Sequence, residues 1–389
     1  MENFVFRVPT KIIFGRETEM KTGKEVRKFS QKVLLHYGSG SIKKSGLYDR
    51  VVKSLKEQSI EIFELSGVKP NPRLSLVYEG IKICRENKIN FILAVGGGSV
   101  IDSAKAIAAG INFDGDVWDL YNASGKKAQN IIPVGVILTI PAAGSEMSNG
   151  SVITNEEGSL KRYFIDENIR PQFAILNPQL TFSLPSEQTS YGISDILAHM
   201  MERYFTQVKN VDLTDRLLEG AIISLMKNSY LVKNNTHDYD VRAEIMWVGT
   251  IAHNDLLGTG RIGDWASHNI EHELSAIYDI AHGAGLSIVF PAWMKYVYKN
   301  NVNKFAQFAQ RIFGVETYLN DIEGMALEGI RRLEEFYSDI NLPIRLSELK
   351  IDDSNFKIMA KKCIAYQGPI GNFASLNEND VLEIFKISL

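Results

Sequence analysis

A chain of 389 residues, at about 100–200 residues per domain, has room for two domains, each with a core of its own. A hydrophobic fraction of 45%, a charged fraction of 23% and a net charge of −3 are those of an ordinary globular protein, and they exclude the basic stripe that a nucleic-acid or anionic-membrane partner requires. Two cysteines, Cys84 and Cys363, lie far apart in helix-like stretches, which excludes a disulfide framework and a thiolate metal site and fits a reducing cytoplasm.

The N-terminus, Met1-Glu2-Asn3-Phe4-Val5-Phe6-Arg7-Val8-Pro9, lacks a positive segment followed by an apolar one, so no signal peptide is expected. Lys32–Tyr37 is a short apolar run ending in Gly38-Ser39-Gly40-Ser41, and a helix is expected over 42–57. Residues 60–65 read as a strand and 72–87 as a helix. Residues 90–95 form a β-branched and aromatic run that leads into Gly96-Gly97-Gly98-Ser99 and a helix through Ala109. The longest apolar stretch, 131–144, holds Pro133 and Pro141 and is too short to span a membrane, so its first ten residues read as a buried strand. Repeated strand, glycine turn and helix units predict a parallel α/β sheet with ligands at the strand C-termini. From Pro185 onward helical periodicity takes over, at 187–205, 213–228, 240–257, 264–278 and 283–298, with three more helices toward the end. The punctuation Asn177-Pro178 and Leu184-Pro185 places the boundary between a domain 1–183 and a domain 184–389. The lysine pairs Lys43-Lys44, Lys126-Lys127 and Lys361-Lys362 read as solvated faces.

Two of the glycine turns follow buried strands and open helices. Glycine lets backbone approach a ligand closely, and a helix N-terminus offers free N–H groups to phosphate. Neither turn matches G-x-G-x-x-G, because the third glycine position is Lys43 in one and Ile101 in the other. They read either as a nucleotide phosphate site or as two tight turns. Thr139-Ile140-Pro141-Ala142-Ala143-Gly144-Ser145-Glu146 follows a third buried strand and reads as a ligand cleft or a simple loop.

Six of the seven histidines fall in the stretch from His199 to His282. Asp195 and His199 are spaced i, i+4 on one helix face, and His268 and His272 repeat that spacing on another. With His282 they offer a divalent cation one carboxylate and three imidazoles: Asp195, His199, His268 and His282. Such a set suits Fe(II) or Zn(II). The competing reading is two helices whose histidines pack individually. His36, His237 and His253 carry no spacing argument and read as structural or solvent-exposed.

These residues resemble the iron-containing (group III) alcohol dehydrogenases, in the branch of the butanol dehydrogenases and bacterial aldehyde reductases. The likeness runs nearly end to end. It is carried by Pro9-Thr10-Lys11-Ile12-Ile13-Phe14-Gly15, Tyr37-Gly38-Ser39-Gly40-Ser41, Gly67-Val68-Lys69-Pro70-Asn71-Pro72 and Gly96-Gly97-Gly98-Ser99 with Asp102. Gly144-Ser145-Glu146, Asp195 with His199, His268 with His272, His282-Gly283 and Pro291 complete it. The resemblance implies a fold like that of dehydroquinate synthase: an α/β dinucleotide-binding domain, an all-helical metal-binding domain, and an active site in the cleft between them. It implies Asp195, His199, His268 and His282 as metal ligands, with His272 beside them near the nicotinamide. It implies cofactor contacts from Gly38, Ser41, Gly97, Gly98, Ser99, Asp102, Thr139, Ser148 and Lys161, the last placed by its position ten residues before Pro171. Three positions depart from the family pattern. Ser148 stands where Thr, Asn or Asp is common, Ala143 where Thr is common, and His253 and Asp255 flank Asn254 where an aliphatic residue and Gly are usual.

The expected activity is that of a metal-dependent NAD(P)H alcohol dehydrogenase or aldehyde reductase on short-chain primary alcohols and aldehydes, with Fe(II) ahead of Zn(II). A polyol dehydrogenase or lyase on the same fold uses fewer metal histidines, and a non-catalytic nucleotide- or metal-binding module is the reading outside enzymes. His272 is the candidate proton relay, because imidazole titrates near neutrality. No acid follows the first glycine turn, where a carboxylate would repel a 2′-phosphate, and Lys43 and Lys44 follow instead. NADP(H) is therefore expected to be favoured, with NAD(H) possible. A cytoplasmic homodimer with no nucleic-acid or membrane partner is the expected setting.

Overall fold

The computed structural model describes residues 1–122, 125–316 and 321–389. The chain forms two compact units. One takes Arg7–Pro185 together with Thr236–Thr250; the other takes Met1–Phe6, Ser186–Asn235 and Ile251–Leu389. A single cut at 183/184 would assign the first six residues and the 236–250 segment to the opposite units.

The first unit is built on strands β1 (Lys11–Phe14), β2 (Lys32–Tyr37), β3 (Glu61–Leu65), β4 (Ile92–Gly96), β5 (Val134–Leu138) and β8 (Phe173–Leu176), with a separate hairpin of β6 (Gly150–Asn155) and β7 (Leu160–Ile165). The six form one sheet in the order β1-β8-β5-β4-β2-β3, and every neighbouring pair is parallel. Central strands covered on both faces must be apolar throughout, and every residue of β4, β5 and β8 is buried. Alternate residues serve opposite faces. Leu34, Ala94, Val136 and Ala174 join one core, and Val33, Leu35, Leu93, Ile137 and Ile175 join the other. The outermost strand β3 carries exposed Glu61 and Glu64, as an edge requires.

From β2 the chain moves outward to β3, then returns to β4 on the other side of β2 and continues the opposite way to β5. The direction therefore reverses between β2 and β4. Their C-terminal turns, Gly38–Ser41 and Gly97–Ser99, sit at the point where an open α/β sheet parts to receive a ligand.

The helix expected over 42–57 is two helices, Ser41–Lys44 and Leu47–Lys56, broken where Gly46 takes φ +69°. The segment Thr236–Thr250 is bound into this unit by side chains. Arg16 lies 3.6 Å from the Tyr239 ring centre, Thr250 Oγ1 donates to Glu146 Oε1 at 2.7 Å, and Met246 is part of the core.

The second unit is helical among its described residues. Its long helices are Ser186–Tyr204, Asp212–Asn234, Ala266–Tyr278, His282–Val297, Val302–Phe313 and Ile322–Asp339. An aromatic core joins the Phe205 ring to Phe305 at 4.5 Å, Phe308 at 5.2 Å and Trp293 at 5.6 Å. The helix expected over 240–257 is the shorter Tyr239–Ala252, followed by a turn at Asp255 with φ +68°. That backbone favours glycine, which accounts for the family residue at this position. Lys362 is only partly solvated, with Nζ 3.6 Å from Glu273. Both cysteines are buried, and neither forms a disulfide among the described residues. No helix among the described residues is long and apolar enough to cross a membrane.

Candidate functional site

In the helical unit Asp195 and His199 lie on Ser186–Tyr204, His268 and His272 on Ala266–Tyr278, and His282 opens His282–Val297. Close helix approach brings them together: a side chain at Gly283 would put its Cβ 2.0 Å from the Tyr191 carbonyl oxygen. Donor atoms of Asp195, His268 and His282 lie within 4.8 Å of one another. His199 is adjacent, its ring centre 4.6 Å from that of His268, but its Nδ1 is turned onto Asp195, 2.9 Å from the backbone oxygen and 3.0 Å from Oδ1. His272 stands with Glu271 and His282 in a second such group, its ring 5.6 Å from that of His282.

The protonation of the group suits cation binding. Burial alone would raise the Asp195 carboxyl, but its attraction to and hydrogen bond with His199 hold it below the usual range. Burial, reinforced by repulsion from His282, pushes His268 down to about 3, so it is a neutral imidazole. Its Nδ1 bonds Glu202 Oε1 at 2.8 Å, and its buried Nε2 has no hydrogen-bond partner among the described residues. A neutral imidazole fixed from behind by a carboxylate, with its second nitrogen open, is how a metal-binding histidine is presented. By this test the residues fit a divalent cation.

Three neighbours escaped the sequence reading. Glu202 is fully buried and also accepts from the backbone N–H of Trp265 at 2.6 Å and of His268 at 3.1 Å, while burial pushes its carboxyl up to about 7. Glu271, equally buried, bonds His282 Nδ1 and Ser275 Oγ. His253, expected to be structural or exposed, packs on His199 with ring centres 4.2 Å apart. A carboxylate spaced i, i+3 from a histidine was the available signal for Glu202 and Glu271, since His199 and His268 precede them by three.

In the α/β unit, Gly38 follows β2 and Ser41 begins the short helix after it. Gly97 caps the thirteen-residue helix Gly98–Gly110, which opens on Gly98 and Ser99, and no side chain caps it. Thr139 follows β5, its N–H donating to Gly96 O at 3.0 Å. The remaining three expected cofactor residues turn inward. Asp102 accepts from Ser145 Oγ at 2.5 Å and from the Val152 N–H at 3.0 Å. Ser148 is buried against Lys105, and Lys161 donates to Asn71 Oδ1 at 3.0 Å. Lys105, which sequence reading passed over, is fully buried and donates to the carbonyls of Ser145, Ser148 and Gly150 at 2.6, 2.9 and 2.8 Å. Burial pushes its amine down to about 8. Together Asp102 and Lys105 hold the 145–152 loop. Near the first turn, Lys43 Nζ lies 4.7 Å from the Tyr48 ring centre. Glu64, an acid at the end of β3, has its two oxygens engaged by the hydroxyls of Tyr37 and Tyr48 at 2.8 and 2.5 Å.

Family models agree with this layout. Residues 9–178 match the model described as iron-containing alcohol dehydrogenase, and residues 189–389 match the C-terminal model of the Fe-containing alcohol dehydrogenase family. The chain is 44% identical, over all of both chains, to a probable NADH-dependent butanol dehydrogenase of Bacillus subtilis. It is 34% identical to an NADPH-dependent aldehyde reductase of Escherichia coli over 93% of each. The crystal structure of the NADH-dependent butanol dehydrogenase A of Thermotoga maritima superimposes with a TM-score of 0.96 at 42% identity, covering 100% of this chain and 99% of that one.

Proposed function

The chain belongs to the iron-containing alcohol dehydrogenase family, and from that premise we propose that it interconverts short-chain primary alcohols and aldehydes, butanol and butyraldehyde among them, with a nicotinamide dinucleotide as the redox partner. The observation that carries the reading is the convergence of Asp195, His268 and His282 with the buried Nε2 of His268 left open.

Asp195, His199, His268 and His282 are the proposed metal ligands. Fe(II), with Zn(II) as second choice, would supply Lewis acidity toward the substrate oxygen there. His272, one helical turn from His268, takes up or delivers the hydroxyl proton. Gly38, Ser41, Gly97, Gly98 and Ser99 offer backbone N–H groups and hydroxyls to the dinucleotide phosphates at the sheet's reversal point, with Thr139 beside them. Asp102, Ser148 and Lys161 act in cofactor binding by fixing the loop and hairpin they are bonded into. Tyr121 Oη, within bonding distance of Ser151 Oγ at 2.7 Å, extends that scaffold.

NADP(H) is favoured because Lys43 stands by the first turn and the Glu64 oxygens are already engaged by two phenols. NAD(H) is the alternative, and it is the coenzyme named for the Bacillus and Thermotoga relatives. A cytoplasmic homodimer is the proposed setting, checked by light scattering on the purified protein. Butyraldehyde turnover by the chelator-treated and Fe(II)-reconstituted protein, with each dinucleotide in turn, tests the proposal. Full activity in a preparation shown to be metal-free by elemental analysis would refute it.

A further inference from the structure

We infer that Glu202 and Glu271 are positioning residues, each fixing one histidine of the cation site with its Nδ1 occupied and its Nε2 directed to the ion; this rests on the metal reading above. The two carboxylates come from different helices, yet they stand in the same relation to their histidines. Glu202 reaches from Ser186–Tyr204 to His268 on Ala266–Tyr278, and Glu271 reaches from Ala266–Tyr278 to His282 at the start of His282–Val297. The three helices are thus chained through two carboxylate–imidazole contacts, and the order of the chain is the order of the helices.

Both carboxylates are fully buried. Glu202 has its oxygens divided between His268 and the N-terminal N–H groups of Ala266–Tyr278, which lock its position from the backbone side. Glu271 divides its oxygens between His282 and Ser275. Its space is made by one residue. A Cβ at Gly285 would lie 2.5 Å from Glu271 Oε1 and 2.7 Å from its Cγ. The second glycine of His282-Gly283-Ala284-Gly285 is therefore where this carboxylate fits, three residues after the histidine it holds.

An imidazole with Nδ1–H given to a carboxylate is fixed in tautomer and ring orientation, and its other nitrogen becomes a better donor to a cation. Losing such a partner costs about 10–100-fold in metal affinity. A purely packing role would leave the tautomer and the affinity alone.

Glu271→Gln is the cleaner variant, because the amide keeps the volume and, with its oxygen still accepting from the Ser275 hydroxyl, turns an N–H donor toward His282 Nδ1. Zn(II) affinity is measured by chelator competition on wild type, Glu271→Gln, Glu202→Gln, Gly285→Ala and the Glu271→Gln/Gly285→Ala pair. In parallel, ¹⁵N imidazole shifts of the metal-free proteins report the His268 and His282 tautomers. The expected result is a roughly 10–100-fold loss for each single variant, with the paired variant no weaker than its worse single member. His282 is expected to change from a fixed Nδ1–H form to a tautomer mixture in Glu271→Gln, and His268 to do so in Glu202→Gln. Wild-type affinity in Glu271→Gln, or unchanged tautomers in both variants, overturns the inference. A wild-type protein that takes up no Zn(II) or Fe(II) overturns the metal reading instead, and the tautomer measurement still decides whether the two carboxylates position their histidines.

Discussion

Two buried polar clusters, one in each unit, work in opposite ways. In the α/β unit the Lys105 amine is surrounded by carbonyl and hydroxyl oxygens, and Asp102 accepts from a hydroxyl and a backbone N–H, so the groups are closed upon one another and what they fix is a loop. In the helical unit His268 is satisfied on one nitrogen and open on the other, and what is fixed is the direction of a single side chain. A dinucleotide is received largely by backbone, so its site needs a loop of defined shape. A cation is received by side-chain donor atoms, so its site needs donors aimed at a point. A change in the first kind of network should register mainly as stability, and one in the second mainly as chemistry.

The largest effect expected is at the aimed donors. His268→Ala, or exhaustive chelation of the wild type, should lower butyraldehyde turnover by at least ~10³-fold with loss of bound metal, several kcal/mol of Lewis-acid stabilisation being removed. Fe(II) or Zn(II), but not Mg²⁺, should restore the chelated protein, because imidazole donors suit the softer ions. Retention of metal by His268→Ala would erase the contrast between the units.

Lys105→Met should act through stability. Leaving the Ser145, Ser148 and Gly150 carbonyls without their donor, and Asp102 without the neighbouring positive charge, should cost about 3–5 kcal/mol, read from denaturant midpoints, while Zn(II) affinity at the helical unit stays at the wild-type value. A stable variant would show that the loop is held by something else.

His272→Ala separates aiming from proton transfer within one helix. Turnover is expected to fall ~10²-fold with metal content unchanged. Near-normal kcat would make His272 a packing residue, and loss of metal would place it among the ligands.

The smallest effect is expected at Lys43→Ala, where one charge-assisted contact to a 2′-phosphate is at stake. The value of kcat/KM for NADPH should fall about tenfold while that for NADH holds. If the wild type already favours NADH by tenfold, Lys43 does not set the preference.

The same contrast decides what could be read in the sequence. Lys32–Tyr37, β4 and β5 were legible because a strand buried on both faces is a continuous apolar run, closed by glycine in the first two and by Thr139-Ile140-Pro141 in the third. β1 was not, being four residues of which only Ile13 is buried, and neither was the hairpin, whose strands mix Lys161, Arg162, Ser151 and Thr154 with apolar residues. The order of the sheet is set by non-local pairing and leaves no local mark. Asp195 with His199, and His268 with His272, announced themselves by helical spacing, and His282 by following them shortly before Gly283. Glu202 and Glu271 did not, because a glutamate three residues from a histidine usually marks a solvated face. His253 touches His199 across 54 positions of sequence, beyond any helical spacing. Lys105 did leave a trace, as the single charge late in the run Ser103-Ala104-Lys105-Ala106-Ile107-Ala108.

The excursion of Thr236–Thr250 into the α/β unit has a bearing on the order of synthesis. When the ribosome has made residue 185, every strand of the sheet exists, yet Glu146 has no Thr250 to bind and the core lacks Met246. The unit made first must wait for the Asp212–Asn234 helix and the residues beyond it before it is complete, although domains made first usually fold first. A fragment ending at Pro185 would keep that vacancy permanently, with apolar core exposed where Tyr239–Ala252 should lie. Neither half of this protein can be taken over into another chain by one cut, and a nascent chain stalled before residue 250 is a natural client for a chaperone.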